Sequence, residues 1–403
     1  MRTNYLNQET PLITLRRRWG IVVFFFTLML WFGYELLRIG SHSTYTRRWI
    51  IIAGLVLAYE LWLLWRGLKH NHRQGKTALL PNFGPGNALT LFRGLGIALL
   101  AGFLFSPWPS GGLAWAPALL YTLAAIADGL DGYLARLTHQ ATKLGATLDM
   151  EFDALGLLVA TLLAVQYHQL PWWYLFLGLA RYLFILGIWW RTRQGQPVYD
   201  LPPSAARRII AGFQMGFSTA MLWPIVYPPG TILAGIVFAI PFVASFSRDW
   251  LIVSGRIDPT SPAYLAIRHK FATIVTRWLP IPLRALVVMA VASLIIPASG
   301  NIADQATLFI WPGLPFPNLI APIIGGMAVV TTAMLALGIA GRLAAFGLTV
   351  AASANILGTG LYLNNGLILS VAITIMLLGA GAWSIWQPED DILSRRPGEE
   401  RSV

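Results

Sequence analysis

"DGLDGYLARLTHQATKLGATLDMEFDALG" (residues 128–156) decides how this chain is read. Apolar runs of membrane-spanning length stand on either side of it, yet it carries Asp128, Asp131, Asp149, Glu151 and Asp153. Helical spacing sorts these carboxylates. Asp128 and Asp131 are three apart and share one helix face; Asp149 and Asp153 are four apart and share another. Glu151 is out of phase with the second pair and reads as solvated or interfacial. A short turn between the helices makes them antiparallel neighbours, so the two acidic faces meet. Four converging carboxylates repel strongly where the dielectric is low, and cations between them make the arrangement tolerable. An oxygen-only donor set selects a hard cation, Mg²⁺ or Mn²⁺. Two such ions side by side would clamp a diphosphate and an attacking oxygen. Gly129, Gly132 and Gly145 flank the acids at a cost of about 1 kcal/mol each against alanine in a helix interior. With Ala135 they leave room for a bulky ligand near the backbone, and Arg136 is placed to hold a phosphate oxygen. A lone intramembrane aspartate is commonly a cap or a satisfied polar contact; four at matched spacing point to function.

The rest of the chain agrees with a membrane setting. Of 403 residues, 56% are hydrophobic and 11% charged, against about 25% charged in soluble domains. Cysteine is absent, which excludes disulfides, thiolate metal sites and cysteine nucleophiles. The net charge of +12 reads as basic cytoplasmic loops rather than nucleic-acid binding. The opening "MRTNYLNQETPLITLRRRWG" is polar and then basic, and is not read as a cleavable signal.

The expected fold is all-α, a polytopic bundle with about twelve spans: 19–38, 49–65, 88–106, 113–135, 145–167, 172–190, 207–227, 230–247, 280–297, 319–338, 343–363 and 367–386. Basic residues gather at alternate ends of these spans, which predicts both termini and the carboxylate cluster on the cytoplasmic side. The stretch "RIGSHSTYTRR" (38–48) breaks the pattern, being basic on the predicted outer side. Five segments are expected: 1–76, a two-helix membrane segment with a basic linker; 77–256, a six-helix catalytic core; 257–278, an amphipathic basic connector; 279–387, a four-helix accessory region; and 388–403, a disordered tail. His70 and His72 in the linker read as solvated anchors at a membrane surface rather than metal ligands.

The central stretch resembles the signature of the CDP-alcohol phosphotransferase family, D-x2-D-G-x2-A-R-x8-G-x3-D-x3-D, through Asp128, Asp131, Gly132, Ala135, Arg136, Gly145, Asp149 and Asp153 with every gap kept. Upstream, "GNALTLFRGLG" is similar to the family's N-x-L-T-x-x-R stretch through Asn87, Thr90 and Arg93. Downstream, "PSAARRIIAGFQ" is similar to the P-S-x-x-G-K-x-K-T-x-x-Q stretch of the phosphatidylglycerophosphate synthase branch, but Arg207, Arg208, Ile210 and Ala211 replace its Gly, Lys, Lys and Thr, so the acceptor is not read from it. The resemblance implies a six-helix fold, two metal ions held by Asp128, Asp131, Asp149 and Asp153, and a CDP-linked lipid alcohol bound by Thr90, Gly132, Ala135, Arg136 and Gly145. It implies catalysis by Asp153, with Asp149 beside it, in which an acceptor alcohol displaces CMP. It also suggests a homodimer. Arg181, Arg207 and Arg208 are candidates for a phosphorylated acceptor. The C-terminal spans loosely resemble DoxX-like membrane domains.

Two other classes fit the residues less well. A UbiA-type prenyltransferase also holds a diphosphate on carboxylates, but it would want an N-D-x-x-D stretch and a second acidic stretch, which this chain lacks. A transporter using the acids as a cation path would spread them through the membrane depth rather than crowd them at one face.

Overall fold

A computed structural model describes residues 2–40, 43–73, 75–138, 140–295, 307–311 and 314–389. Most of the expected tail, from residue 390 on, lies outside the described residues. Among those residues the regular structure is helical, with only isolated bridges besides. Six helices are long and apolar enough to cross a membrane: Pro11–Ile39, Tyr45–His70, Gly111–Leu137, Gly230–Val253, Pro262–Ile295 and Pro317–Leu337. The pair Trp172–Gly178 and Ala180–Arg193, bent by 60°, makes a seventh if counted as one span. Large apolar side chains such as Phe24, Trp31, Phe32 and Leu55 are exposed along these helices. Lipid is the solvent that tolerates such faces, and the chain is a multi-pass integral membrane protein. Every one of the twelve expected spans falls on a helix, but several of those helices are shorter than a span needs. The apolar windows ran past helix ends: the window 88–106 continues beyond the end of its helix at Ala101.

The chain divides into two compact units. The first runs through His168 and takes in Ser218–Pro224; the second comprises Gln169–Phe217 and, of the described residues beyond Pro224, those from Ile225 to 389. The first unit holds α1 (Arg2–Gly40), α2 (Ser43–Gly67), α3 (Gly84–Ala101), α4 (Ala116–Leu137) and α5 (Lys143–Gln166). Proline at the first turn starts α3 and α4, where a missing N–H costs nothing. Thr142 caps α5 by accepting from the Gly145 N–H at 3.0 Å. Helix α3 sits at the centre, against α2, α4 and α5. Its glycines allow that closeness: a methyl on Gly86 would lie 2.7 Å from the Ala135 Cβ of α4, and one on Gly94 would lie 2.7 Å from the Phe152 ring of α5.

The basic linker after α2 is folded. Buried Asn71 donates to the carbonyls of Leu80 (2.9 Å) and Asn82 (2.8 Å), and the Lys143 N–H donates to the His72 carbonyl at 3.0 Å. The basic stretch 38–48 has a partner as well: Arg48 donates to the Phe105 carbonyl, beyond the end of α3. A cation at a helix C-terminus is favoured by the helix dipole, which accounts for a charge that loop polarity did not predict.

The second unit holds the bent pair α6 (Leu175–Gly178) and α7 (Ala180–Arg193), then α8 (Ala205–Ala220) as far as Phe217, α9 (Gly230–Val253), α10 (Pro262–Ala272), α11 (Pro280–Ile295), α12 (Pro317–Leu337), α13 (Gly341–Thr359) and α14 (Leu363–Leu378). Buried Arg284 of α11 ties its end together, donating to the carbonyls of Leu335 (2.6 Å), Ala336 (2.8 Å), Ala380 (3.2 Å) and Ala382 (3.3 Å).

Candidate active site

Asp128 and Asp131 project from α4, and Asp149 and Asp153 from α5, toward one point, as the helical spacing predicts. That point is the guanidinium of Arg93, fully buried on α3. Arg93 Nη1 pairs with Asp128 Oδ1 and lies 3.3 Å from Asp153 Oδ1 and 3.8 Å from Asp131 Oδ2. Arg93 Nη2 donates to Asp149 Oδ1 at 2.9 Å and to the Asp149 carbonyl at 3.0 Å. The Thr90 hydroxyl, one turn earlier on α3, donates to Asp131 Oδ2 at 2.7 Å.

The acids differ in access. The Asp131 side chain is 8% exposed and forms the floor of the cluster, whereas Asp149 and Asp153 are 45% and 49% exposed at its rim. One guanidinium against four carboxylates leaves the cluster strongly negative. Asp128, Asp131 and Asp149 each bring an oxygen within 4.8 Å of the others. A donor set of carboxylate oxygens alone, that close together, fits a hard divalent cation. Among the described residues no other group of this kind occurs. His70 and His72 belong to none; their rings lie 6.5 Å apart, and His72 Nδ1 is 3.1 Å from the Arg73 carbonyl.

Beside the acids lies a cleft of about 140 Å³. Gly132, Ala135, Arg136 and Gly145 line it together with Asp131 and Asp149, so four of the five residues expected to hold the nucleotide surround one space. The fifth, Thr90, is buried and hydrogen-bonded to Asp131. The cleft wall is braced from α3: Asn87 Nδ2 donates to Thr142 Oγ1 at 3.1 Å, and the α5 cap shares that hydroxyl. A Cβ on Gly145 would collide with Asn87 Oδ1. Glycine is therefore a packing requirement here as well as a means of keeping the cleft open. Gly129, by contrast, has nothing within 4 Å of its Cβ direction, and Glu151 is half-buried.

The three arginines offered for an acceptor lie in the second unit. Arg207 Nε pairs with Asp249 Oδ2 at 3.0 Å, and its Nη2 donates to the Pro202 carbonyl at 2.8 Å. Asp249 also takes Arg248 at 2.6 Å, the local pair its sequence position suggests. Arg181 is half-buried on α7 and Arg208 exposed on α8. Two residues of the first unit escaped the sequence reading. Arg93 was placed in a motif but given no role, and Glu60 of α2 was passed over. Its signal was available: Glu60 is the single charged residue between Arg48 and Arg66.

A membrane helix bundle with carboxylates converging beside a small cleft is an arrangement that could hold a divalent cation. The family follows from comparison. The pattern describing CDP-alcohol phosphatidyltransferases matches residues 85–247, and the chain belongs to that family. It is 31% identical over 169 residues to a CDP-diacylglycerol--glycerol-3-phosphate 3-phosphatidyltransferase of Pectobacterium atrosepticum, covering 40% of this chain and 87% of that one. It is 39% identical over 88 residues to a protein of the same name from Salmonella choleraesuis, covering 21% and 45%. A putative cardiolipin synthase of Mycobacterium tuberculosis is 29% identical over 140 residues, covering 34% and 63%. The chain thus spans about half the length of the Salmonella relative. No solved structure matches it.

Proposed function

We propose that the protein is a CDP-alcohol phosphotransferase that moves a phosphatidyl-type group from a CDP-linked lipid alcohol, such as CDP-diacylglycerol, to an acceptor alcohol and releases CMP, in phospholipid synthesis. The observation that carries this reading is the meeting of Asp128, Asp131, Asp149 and Asp153 beside a cleft lined by Gly132, Ala135, Arg136 and Gly145. Mg²⁺ or Mn²⁺, two ions in this reading, would be held by the four aspartates and would supply charge neutralisation for the diphosphate. Gly132 and Gly145 leave room for the nucleotide, and Arg136 binds a phosphate oxygen. The N-terminus of α5 opens on the cleft through Thr142, Gly145 and Ala146, a favourable place for an anion.

Asp153 takes the proton of the acceptor hydroxyl. Its half-open position suits a base that meets an incoming alcohol, as Asp131 on the floor does not. The acceptor oxygen then bonds to the β-phosphorus as the bond from that phosphorus to the bridging oxygen breaks, and CMP leaves with that oxygen. Transfer of this kind depends on positioning and charge more than on covalent help.

The same reading places the site at the cytoplasmic face of a bacterial-type plasma membrane with both termini inside, about twelve spans in all, and a catalytic domain over 77–256 followed by an accessory region over 279–387. A homodimer belongs to the proposal by resemblance. The acceptor is a phosphorylated alcohol such as glycerol 3-phosphate or inositol phosphate, met by Arg181, Arg207 and Arg208. The names of the Pectobacterium and Salmonella relatives support glycerol 3-phosphate. The test incubates membranes holding the chain with labelled CDP-diacylglycerol, Mg²⁺ and a panel of alcohols. CMP release that depends on one alcohol and vanishes in Asp149→Asn supports the reading; diphosphate release from a prenyl donor, or neither product, overturns it.

A further inference from the structure

Residues 71–82 precede the region that the family pattern matches, yet they hold one wall of the cleft. Asn71 closes this segment on itself. It is fully buried, and its Nδ2 donates to the carbonyls of Leu80 (2.9 Å) and Asn82 (2.8 Å), while the Leu80 N–H donates to the Asn71 carbonyl at 2.8 Å. An antiparallel bridge between His72 and Leu79 joins the same two sides. The closed segment then grips the start of α5. Arg73 pairs with Thr142 in a second antiparallel bridge, and the Lys143 N–H donates to the His72 carbonyl at 3.0 Å. At Gly67, where α2 ends, an added methyl would collide with the Leu144 side chain. A further tie runs through α3: the Asn87 amide donates to Asn71 Oδ1 (3.4 Å) and to Thr142 Oγ1 (3.1 Å). The residues held in this way include Thr142, Gly145 and Ala146, which line the cleft.

We propose that Asn71 is a positioning residue for the cleft: by closing the linker on itself it fixes the wall at 142–146, against which the cytidine nucleotide of the donor packs. This rests on the catalytic reading above. The first turn of a helix has N–H groups without helical partners. Here the Thr142 hydroxyl takes the Gly145 N–H and the linker takes that of Lys143. A wall left loose would have to be ordered by its ligand, and that ordering is subtracted from affinity. A wall clipped in advance avoids the loss. The four aspartates have a different anchor, the Arg93 guanidinium on α3. The linker therefore governs the nucleotide wall, and Arg93 the acids that would hold metal. A segment outside the family pattern thereby gains a part in binding the donor.

The test measures nucleotide and metal binding separately, on the purified full chain in detergent. Asn71→Leu keeps the bulk and removes both donors to the linker carbonyls. The expected result is about a tenfold weaker CMP affinity with Mn²⁺ present. Mn²⁺ affinity without CMP, read by electron paramagnetic resonance, should stay within about twofold of the unmodified chain. A general loss of structure would weaken both together. Unchanged CMP affinity, or an equal loss of both, overturns the proposal. Should Asn71→Leu not fold, hydrogen exchange on the unmodified chain supplies a second measurement. CMP with Mn²⁺ should slow exchange at the Leu80 amide of the linker together with the Ala146 amide of the wall; protection of Ala146 alone, or of neither, overturns the proposal. The two readings fail separately. If the unmodified chain binds CMP and Asn71→Leu binds it as tightly, this inference alone fails. If the unmodified chain binds no CMP with Mn²⁺ present, both fail.

Discussion

Gly145→Ala tests whether the cleft wall is as tightly braced as its hydrogen bonds imply. The new Cβ would collide with Asn87 Oδ1 and lie 3.3 Å from both Asn87 Cγ and Thr142 Oγ1. Asn87 has little freedom to retreat, because its amide donates to Thr142 Oγ1 (3.1 Å) and Asn71 Oδ1 (3.4 Å) from a buried position. Forcing a methyl into such a site costs about 1–3 kcal/mol, and losing the Asn87–Thr142 hydrogen bond about 1 kcal/mol more. The gain in helix propensity from glycine to alanine returns about 1 kcal/mol. The net expectation is a destabilisation of about 1–3 kcal/mol. Gly129→Ala is the matched control: it lies on the neighbouring helix α4 with nothing within 4 Å of its Cβ direction, and should be neutral or stabilising by up to about 1 kcal/mol. Thermal unfolding of both variants in one detergent, without ligands, makes the comparison. If Gly145→Ala melts with or above Gly129→Ala, Asn87 turns aside freely and the braced-wall argument is wrong.

Thr90→Val removes a buried donor from Asp131 while nearly keeping its shape, and should destabilise by about 1.5–3 kcal/mol, the range for hydrogen bonds to charged groups; thermal unfolding without divalent cations reads it. Arg93→Gln takes the counter-ion from four carboxylates and should cost about 3–5 kcal/mol. Because cations can replace the lost charge, added Mn²⁺ should raise the melting temperature of this variant more than that of the unmodified chain, by mass action; an equal rise would show that Arg93 does not compete for the acids. Arg284→Met in the second unit strips four carbonyls of one shared donor and should cost at least about 3 kcal/mol, seen as earlier proteolysis of the region after Ile225.

The acid cluster was legible because helical periodicity is rigid. Spacings of three and four residues fix which side chains share a face, and a short turn fixes which helices face each other, so Asp128, Asp131, Asp149 and Asp153 were placed together without coordinates. Gly132, Ala135, Arg136 and Gly145 followed from the same phase. What lay beyond that period was not legible. Arg93 reads as a motif letter until α3 is known to run behind both acidic helices, and Glu60 has no partner in its own sequence neighbourhood. The count of about twelve spans is met by six helices of full crossing length among the described residues: hydropathy sees apolar composition, not helix ends, so short helices such as α8 and α14 read as full crossings. The division of the chain near His168 left no compositional mark, because both sides of it are equally apolar.

The buried arginine sets the logic of the site. Four carboxylates cannot sit together at low dielectric as bare anions, and in water they would simply spread apart. Placing Arg93 on a third helix, fully buried and bonded to Asp149 through both side chain and backbone, gives the acids a fixed target that does not depend on a diffusible ion. The helices can therefore pack with the acids already aimed at one point. That arrangement is useful only if the arginine does not hold the acids so firmly that a metal cannot displace it. A tighter Mn²⁺ affinity in Arg93→Gln than in the unmodified chain is what this logic requires, because Arg93 occupies the same four carboxylates. An unchanged or weaker affinity means the cluster is held together by something other than the balance of these charges.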